Sequence, residues 1–117
     1  MKNDYKSLKD GHSVIVNLSK DGSHWTSIKR DGNNILYFDS FGVSPFQKVW
    51  NVDKNKDVYY NTTQVQDIKS SSCGYFCVHF IQNVDTLEDF EQYVYDWNLT
   101  DQYENEKKIE QFIKTLK

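Results

Sequence analysis

Gln64-Val-Gln-Asp-Ile-Lys-Ser-Ser-Ser-Cys-Gly-Tyr-Phe-Cys-Val-His-Phe-Ile81 is a polar segment that ends in three serines and passes, at Cys73, into an apolar run. Tyr75, Phe76, Cys77, Val78, Phe80 and Ile81 are apolar nearly all round, which is the pattern of a helix buried in a core. Ser72 stands where an N-cap belongs, its hydroxyl able to accept a bond from an unpaired first-turn amide. Cys73 is then the first helical position, where exposed N–H groups and the helix dipole favour negative charge. A thiol there should ionise below the free value of about 8.5. Cys73 is the candidate nucleophile, and the remaining chain is read for groups that activate it.

Upstream, Ser13 to Leu18 is β-branched and reads as a buried strand. His24 to Arg30 and Asn33 to Asp39 read as two more, joined by Asp31-Gly32, a favoured two-residue loop of type I′. In that register Arg30 faces Asn33, and His24 lies directly opposite Asp39, with Cβ atoms roughly 5 Å apart on one face. Trp25 and Phe38 pair on the other face. A one-residue slip sends Asp39 to the opposite side. Ser44-Pro45 has the order that opens a short helix, here carrying Phe46, Val49 and Trp50. Val58 to Tyr60 begins a further strand, which Thr63 to Gln66 continues or follows with its own.

After the apolar helix ends near Val84, Thr86 and Asp89 have capping-box spacing. Leu87, Phe90, Val94 and Trp97 follow at helical intervals. Thr100 or Asp101 caps a last helix with Ile109, Phe112, Ile113 and Leu116 on its apolar stripe. With strands first and helices last, residues 1–117 read as one α+β domain.

Composition narrows the classes of function. A net charge of −3 and a pI near 5.5 argue against a dedicated nucleic-acid binder. No apolar stretch approaches the roughly 18 residues that span a bilayer. The start Met1-Lys-Asn-Asp-Tyr5 has no hydrophobic signal region, so an intracellular protein is expected. The two cysteines lie one helical turn apart, a poor disulfide pair, and free thiols in a reducing compartment are the simpler reading. Zinc held by Cys73, Cys77 and a histidine has little support without a partner cluster. No cofactor and no metal is expected.

A cysteine nucleophile needs a base, a group that orients the base, and donors for the oxyanion. His24 supplies the base and Asp39 the orienter. The Cys73 backbone N–H is one oxyanion donor, and the side-chain amide of Gln66 or Gln64 is the second. Gly74 leaves the flank of the nucleophile open to a substrate backbone. Cys77 is core, His79 is rotated away around the helix, and His12 is a reserve base. Each residue alone has a bland reading: a cysteine at a helix start is more often a small buried hydrophobe, and Asp39 alone reads as a turn residue. Four of them in one consistent geometry weigh the other way.

The order Gly22-Ser23-His24-Trp25, Tyr37-Phe-Asp39-Ser40-Phe41-Gly42, Gln66 and Cys73-Gly-Tyr-Phe-Cys77 resembles the adenain (adenovirus maturation protease) family. It is similar above all to the adenain-like proteases of Polinton/Maverick-type elements and related DNA viruses, and more distantly to SUMO-specific proteases. The likeness runs from about Val14 to Ile81, with a weaker echo in Asn105 to Ile113. It implies an adenain-type papain-like α+β fold, a small antiparallel sheet packed on a central buried helix with further C-terminal helices. It also implies His24 as base, Asp39 as orienter, Gln66 (by its spacing from the cysteine) as oxyanion donor and Cys73 as nucleophile. Trp25, Gly74 and Tyr75 would line a narrow substrate channel.

The implied activity is that of a cysteine endopeptidase cutting at Gly-Gly or Gly-x-Gly sites. The implied substrates are capsid or core precursors, cleaved in the cytoplasm or nucleus of an infected or host cell or within the virion. An activating peptide or protein is a further partner that the family allows, whereas the acidic balance argues against a DNA cofactor and no membrane partner is expected. The rival readings are a ubiquitin-like (SUMO-type) deconjugating isopeptidase and a non-catalytic binding module that keeps the protease fold.

Overall fold

The computed structural model describes residues 8–17, 24–43, 45, 57–67, 72–98 and 100–116. It is a mixed α+β arrangement: β1 (Ser13–Asn17), β2 (Trp25–Asp31), β3 (Asn34–Phe38) and β4 (Asp57–Tyr60) precede α1 (Cys73–Asn83), α2 (Leu87–Asp96) and α3 (Gln102–Thr115). The strands form one sheet in sequence order. The expected short helix after Ser44 lies outside the described residues apart from Pro45.

The tight β2–β3 hairpin is present, but its loop is Gly32-Asn33 and not Asp31-Gly32. Asp31 pairs with Asn34, and Ser27 with Phe38. Gly32 has a φ of +59°, and no described non-glycine residue has a positive φ. A glycine alone at the first loop position is the type II′ pattern, whereas type I′ needs positive φ at both positions. Asp31 is kept in the strand because its carboxylate accepts a bond of 2.8 Å from the Leu87 N–H at the start of α2.

Moving the turn by one residue moves cross-strand partners by two positions, so the facing of each side chain is preserved. His24 now lies across from Phe41, with ring centroids 5.1 Å apart, and reaches Asp39 along the diagonal. The expected Trp25–Phe38 pair does not form: Trp25 pairs with Asn17 of β1.

Two further expectations are corrected. The sheet is not wholly antiparallel, since β4 runs parallel to β3 with Ile35 beside Val58. The connection from Phe38 to Asp57 exceeds the dozen or so residues that a parallel crossover requires. Thr63 to Gln66 carries no strand, because its amides bond to a loop, as described below. β1 is half-buried along its length, as an edge strand is.

The helices cover one face of the sheet. Leu36 and Phe38 of β3 pack there with Phe76 and Phe80 of α1, Phe90, Tyr93 and Trp97 of and beside α2, and Ile109 of α3. The rings of Phe38 and Phe80 stack at 5.2 Å. Ile28, Ile35 and Tyr37 point to the other face, against Leu8, Val14, Val16, Val58 and Tyr60. The Thr86/Asp89 capping box forms in both directions. Asp101, not Thr100, caps α3 through the Tyr103 N–H.

Three contacts fix the direction of α1. Ser27 lies beside the thiol of Cys77, the Lys29 ammonium donates to Asp85 at 2.8 Å, and Asp31 accepts the Leu87 N–H. Residues rising along β2 thus meet residues rising along α1 and its exit. The helix runs with the strand, which sets the Cys73 end of α1 toward the His24 end of β2.

Candidate active site

His24 and Asp39 are brought together. His24 Nε2 is 3.0 Å from Asp39 Oδ2; the imidazole side chain is 21% exposed and the carboxylate side chain 0%. The other carboxylate oxygen accepts the Phe41 N–H at 2.8 Å. Burial pushes the Asp39 carboxyl above its usual value, opposed by the Phe41 N–H and by the bond and charge of His24. An acceptor that holds Nε2–H leaves Nδ1 as the basic nitrogen of the neutral ring. Both residues fall just beyond the paired strands, where the pleat no longer dictates facing. Asp39 lies close enough to act electrostatically both on the Tyr37 hydroxyl of one face and on the Cys77 thiol of the other.

Asp39 is held from behind by a residue that sequence reasoning missed. Asn61 accepts the Asp39 N–H at 2.9 Å and donates to the Asp39 carbonyl at 2.6 Å and to the Thr63 carbonyl at 3.2 Å. It is 2% exposed. The only sequence signal is a polar side chain directly after the apolar Val58-Tyr59-Tyr60 strand. Gly42 is a second such feature. Its φ is +76°, and a Cβ there would lie 2.7 Å from the Thr63 carbonyl carbon, so only glycine lets the two loops close.

The two glutamines differ in burial: Gln66 is 0% exposed, while Gln64 is exposed. Ser40, next to Asp39, holds Gln66 in place. Its carbonyl accepts both the Val65 N–H at 2.8 Å and the Gln66 N–H at 2.9 Å, and its hydroxyl donates to Gln66 Oε1. From the far side, Asn105 of α3 donates to the Val65 carbonyl at 2.9 Å. The 61–67 segment is thus clamped between the Asp39–Gly42 loop and α3.

Cys73 is the first residue of α1 and is 4% exposed. Ser72 occupies the N-cap position, but its hydroxyl makes no capping bond, contrary to expectation. Its backbone has φ −88° and ψ 10° instead of the extended geometry that aims a capping side chain. The first turn is closed by the Phe76 N–H on the Ser72 carbonyl at 3.0 Å. Beside Cys73, a Cβ added at Gly74 would meet no atom within 4 Å, so the flank is open. Tyr75 is 45% exposed, and Trp25 is half-buried at the start of β2.

The remaining candidates separate cleanly. Cys77 is buried core, and its burial pushes the thiol up to about 12. His79 is packed against Tyr93, Trp97 and Phe112, with burial drawing it down to about 4. His12 accepts the Arg30 N–H with its carbonyl, which puts it at the turn end of β2, away from His24. Among the described residues no group of three or more His, Cys, Asp or Glu is placed to hold a metal ion, and no helix is long and apolar enough to cross a membrane. Comparison with models of known families and with curated protein sequences finds no match to this chain.

Proposed function

We propose that this chain is a cysteine endopeptidase of the adenain-like, papain-type fold, acting on protein substrates at Gly-Gly or Gly-x-Gly sites. The observation that carries the reading is the His24 Nε2–Asp39 Oδ2 bond of 3.0 Å to a fully buried carboxylate. That pair stands at the end of β2 toward which the head of α1 and Cys73 is directed. A core histidine would not need a buried, backbone-clamped carboxylate. A base that must hold one tautomer does.

In the proposed reaction, His24 Nδ1 takes the proton of the Cys73 thiol while Nε2–H stays on Asp39. The thiolate attacks the scissile carbonyl carbon, forming a C–S bond, and the carbonyl electron pair moves to oxygen. The Cys73 backbone N–H and the Gln66 amide donate to that oxyanion. Its collapse breaks the C–N bond, and the imidazolium protonates the departing amine. Water, deprotonated by His24, then attacks the thioester; the acid product leaves and the thiol is restored. The open flank at Gly74 favours a substrate whose backbone approaches closely, as glycine allows. Capsid or core precursors are the substrate class that the family resemblance suggests.

The test is covalent capture with a peptidyl-Gly-Gly vinyl sulfone, set beside a ubiquitin-like protein carrying the same warhead. A single adduct on Cys73 from the short peptide, absent in Cys73→Ala, supports the endopeptidase. Capture by the ubiquitin-like probe alone would make it a deconjugase. An adduct on Cys77, or no adduct, would contradict both.

A further inference from the structure

We propose that Ser40 is a positioning residue for the oxyanion donor, so that the adjacent pair Asp39-Ser40 sets both halves of the catalytic machinery at once. The inference rests on the cysteine-peptidase reading and extends it to a residue that has no role there. Gln66 lies on a segment without regular secondary structure, so no helix or strand lattice orients its side chain. A buried primary amide has two nearly isosteric orientations, one presenting N–H and the other oxygen to the site. Only the first stabilises an oxyanion.

Ser40 is 2% exposed and bonds Gln66 in the first of them. Its hydroxyl donates to Gln66 Oε1, which assigns the oxygen to the Ser40 side and turns the NH2 group away from it. Its carbonyl holds the backbone of the same residue through the Val65 and Gln66 amides at 2.8 and 2.9 Å. Position and orientation of the donor thus both depend on Ser40, with Asn105 bonding the Val65 carbonyl and Gln64 the Gln66 carbonyl at 2.8 Å as further supports of the backbone. Ser40 is bonded through its own peptide to Asp39, whose carboxylate holds His24 at 3.0 Å.

The expected effect of Ser40→Ala is a loss of roughly ten- to a hundredfold in kcat with KM nearly unchanged. The ceiling is the hundred- to thousandfold that follows removal of an oxyanion-hole donor. Two reactions of Cys73 separate this role from a merely structural one. Acylation by a peptidyl-Gly-Gly thioester passes through an oxyanion, whereas displacement of iodide from iodoacetamide does not. Ser40→Ala should slow the first and leave the second within about twofold. Ser40→Thr, which keeps the hydroxyl, should restore acylation to within a few-fold.

A double-mutant cycle with Gln66→Ala closes the test. If Ser40 acts through Gln66, Ser40→Ala costs little more once Gln66 is gone. Full additivity, or equal slowing of acylation and alkylation, would overturn the proposal while leaving the peptidase standing. Absence of acylation in the unsubstituted chain would remove the peptidase reading and this proposal with it. Should Ser40→Ala fail to fold, Ser40→Cys keeps the volume with a much weaker donor and carries the same comparison.

Discussion

Replacing Asn61 by alanine tests whether the backbone of Asp39 is held as tightly as its geometry indicates. The Asn61 side chain makes bonds of 2.9 and 2.6 Å to the N–H and carbonyl of Asp39 and one of 3.2 Å to the Thr63 carbonyl. Asp39 is 0% exposed, so water does not readily replace what the alanine removes. A buried backbone group left without its partner costs about 1–3 kcal/mol. Two such groups at Asp39 give about 2–6 kcal/mol, a large part of the roughly 5–15 kcal/mol that holds a domain of this kind together. The expected fall in Tm is on the order of 10–20 °C. Urea and thermal unfolding followed by circular dichroism measure it, with Asn83→Ala as control. Asn83 is exposed and makes one bond, 2.8 Å to the His79 carbonyl, so its loss should cost less than about 0.5 kcal/mol. An Asn61→Ala variant no less stable than Asn83→Ala would refute the clamp.

Gly42→Ala forces an L residue into φ +76° and drives its Cβ to 2.7 Å from the Thr63 backbone, so a destabilisation of at least about 2 kcal/mol is expected; urea unfolding within about 0.5 kcal/mol of the original chain would count against the loop contact. His79 sits near 4 in the fold against 6.5 when free, chiefly through burial and secondarily through the Lys108 charge. Its folded value is the lower one, so its contribution is complete above pH 6.5 and is lost as the pH falls toward 4. The loss is about 2 kcal/mol once solvent screening of a partly buried ring is allowed for. Urea midpoints at pH 7 and 4.5 should converge in His79→Phe relative to the unsubstituted chain, and an unchanged pH dependence in that variant would assign the acid sensitivity to another group.

Local signals carried much of the fold into the sequence. The Thr86/Asp89 box, the Asp101 cap and the apolar run from Phe76 to Phe80 each depend on neighbours a few residues away, and each forms. The hairpin was legible as a hairpin, yet its loop was misplaced by one residue. The competing influence was Asp31, drawn into β2 by the N–H of Leu87 far along the chain. The His24–Asp39 contact forms despite that error, along the diagonal and just beyond the last paired residues of the strands.

Distance in sequence set the limit. Ser40 to Gln66 and Asn61 to Asp39 are contacts between loops, with no period or propensity to announce them. The parallel β4 was hidden for the same reason. Ser72 had the right residue type for a cap but the wrong backbone angles, which propensity alone does not reveal. Gln66 was separable from Gln64 only by the spacing that the family resemblance supplies; in the structure the two differ in burial.

The most direct measurement of the central claim is the native-state rate of carbamidomethylation at each cysteine, resolved by mass spectrometry at neutral pH. Both thiols are nearly closed to solvent, at 4% and 1% exposure, so accessibility alone gives little discrimination. Burial pushes the Cys77 thiol up to about 12, while in the proposed mechanism Cys73 gives its proton to the His24 imidazole. The expected result is modification of Cys73 faster by at least about a hundredfold, with the advantage lost in His24→Ala. Equal rates at the two sulfurs, or faster reaction at Cys77, would contradict the assignment of a nucleophile to this chain.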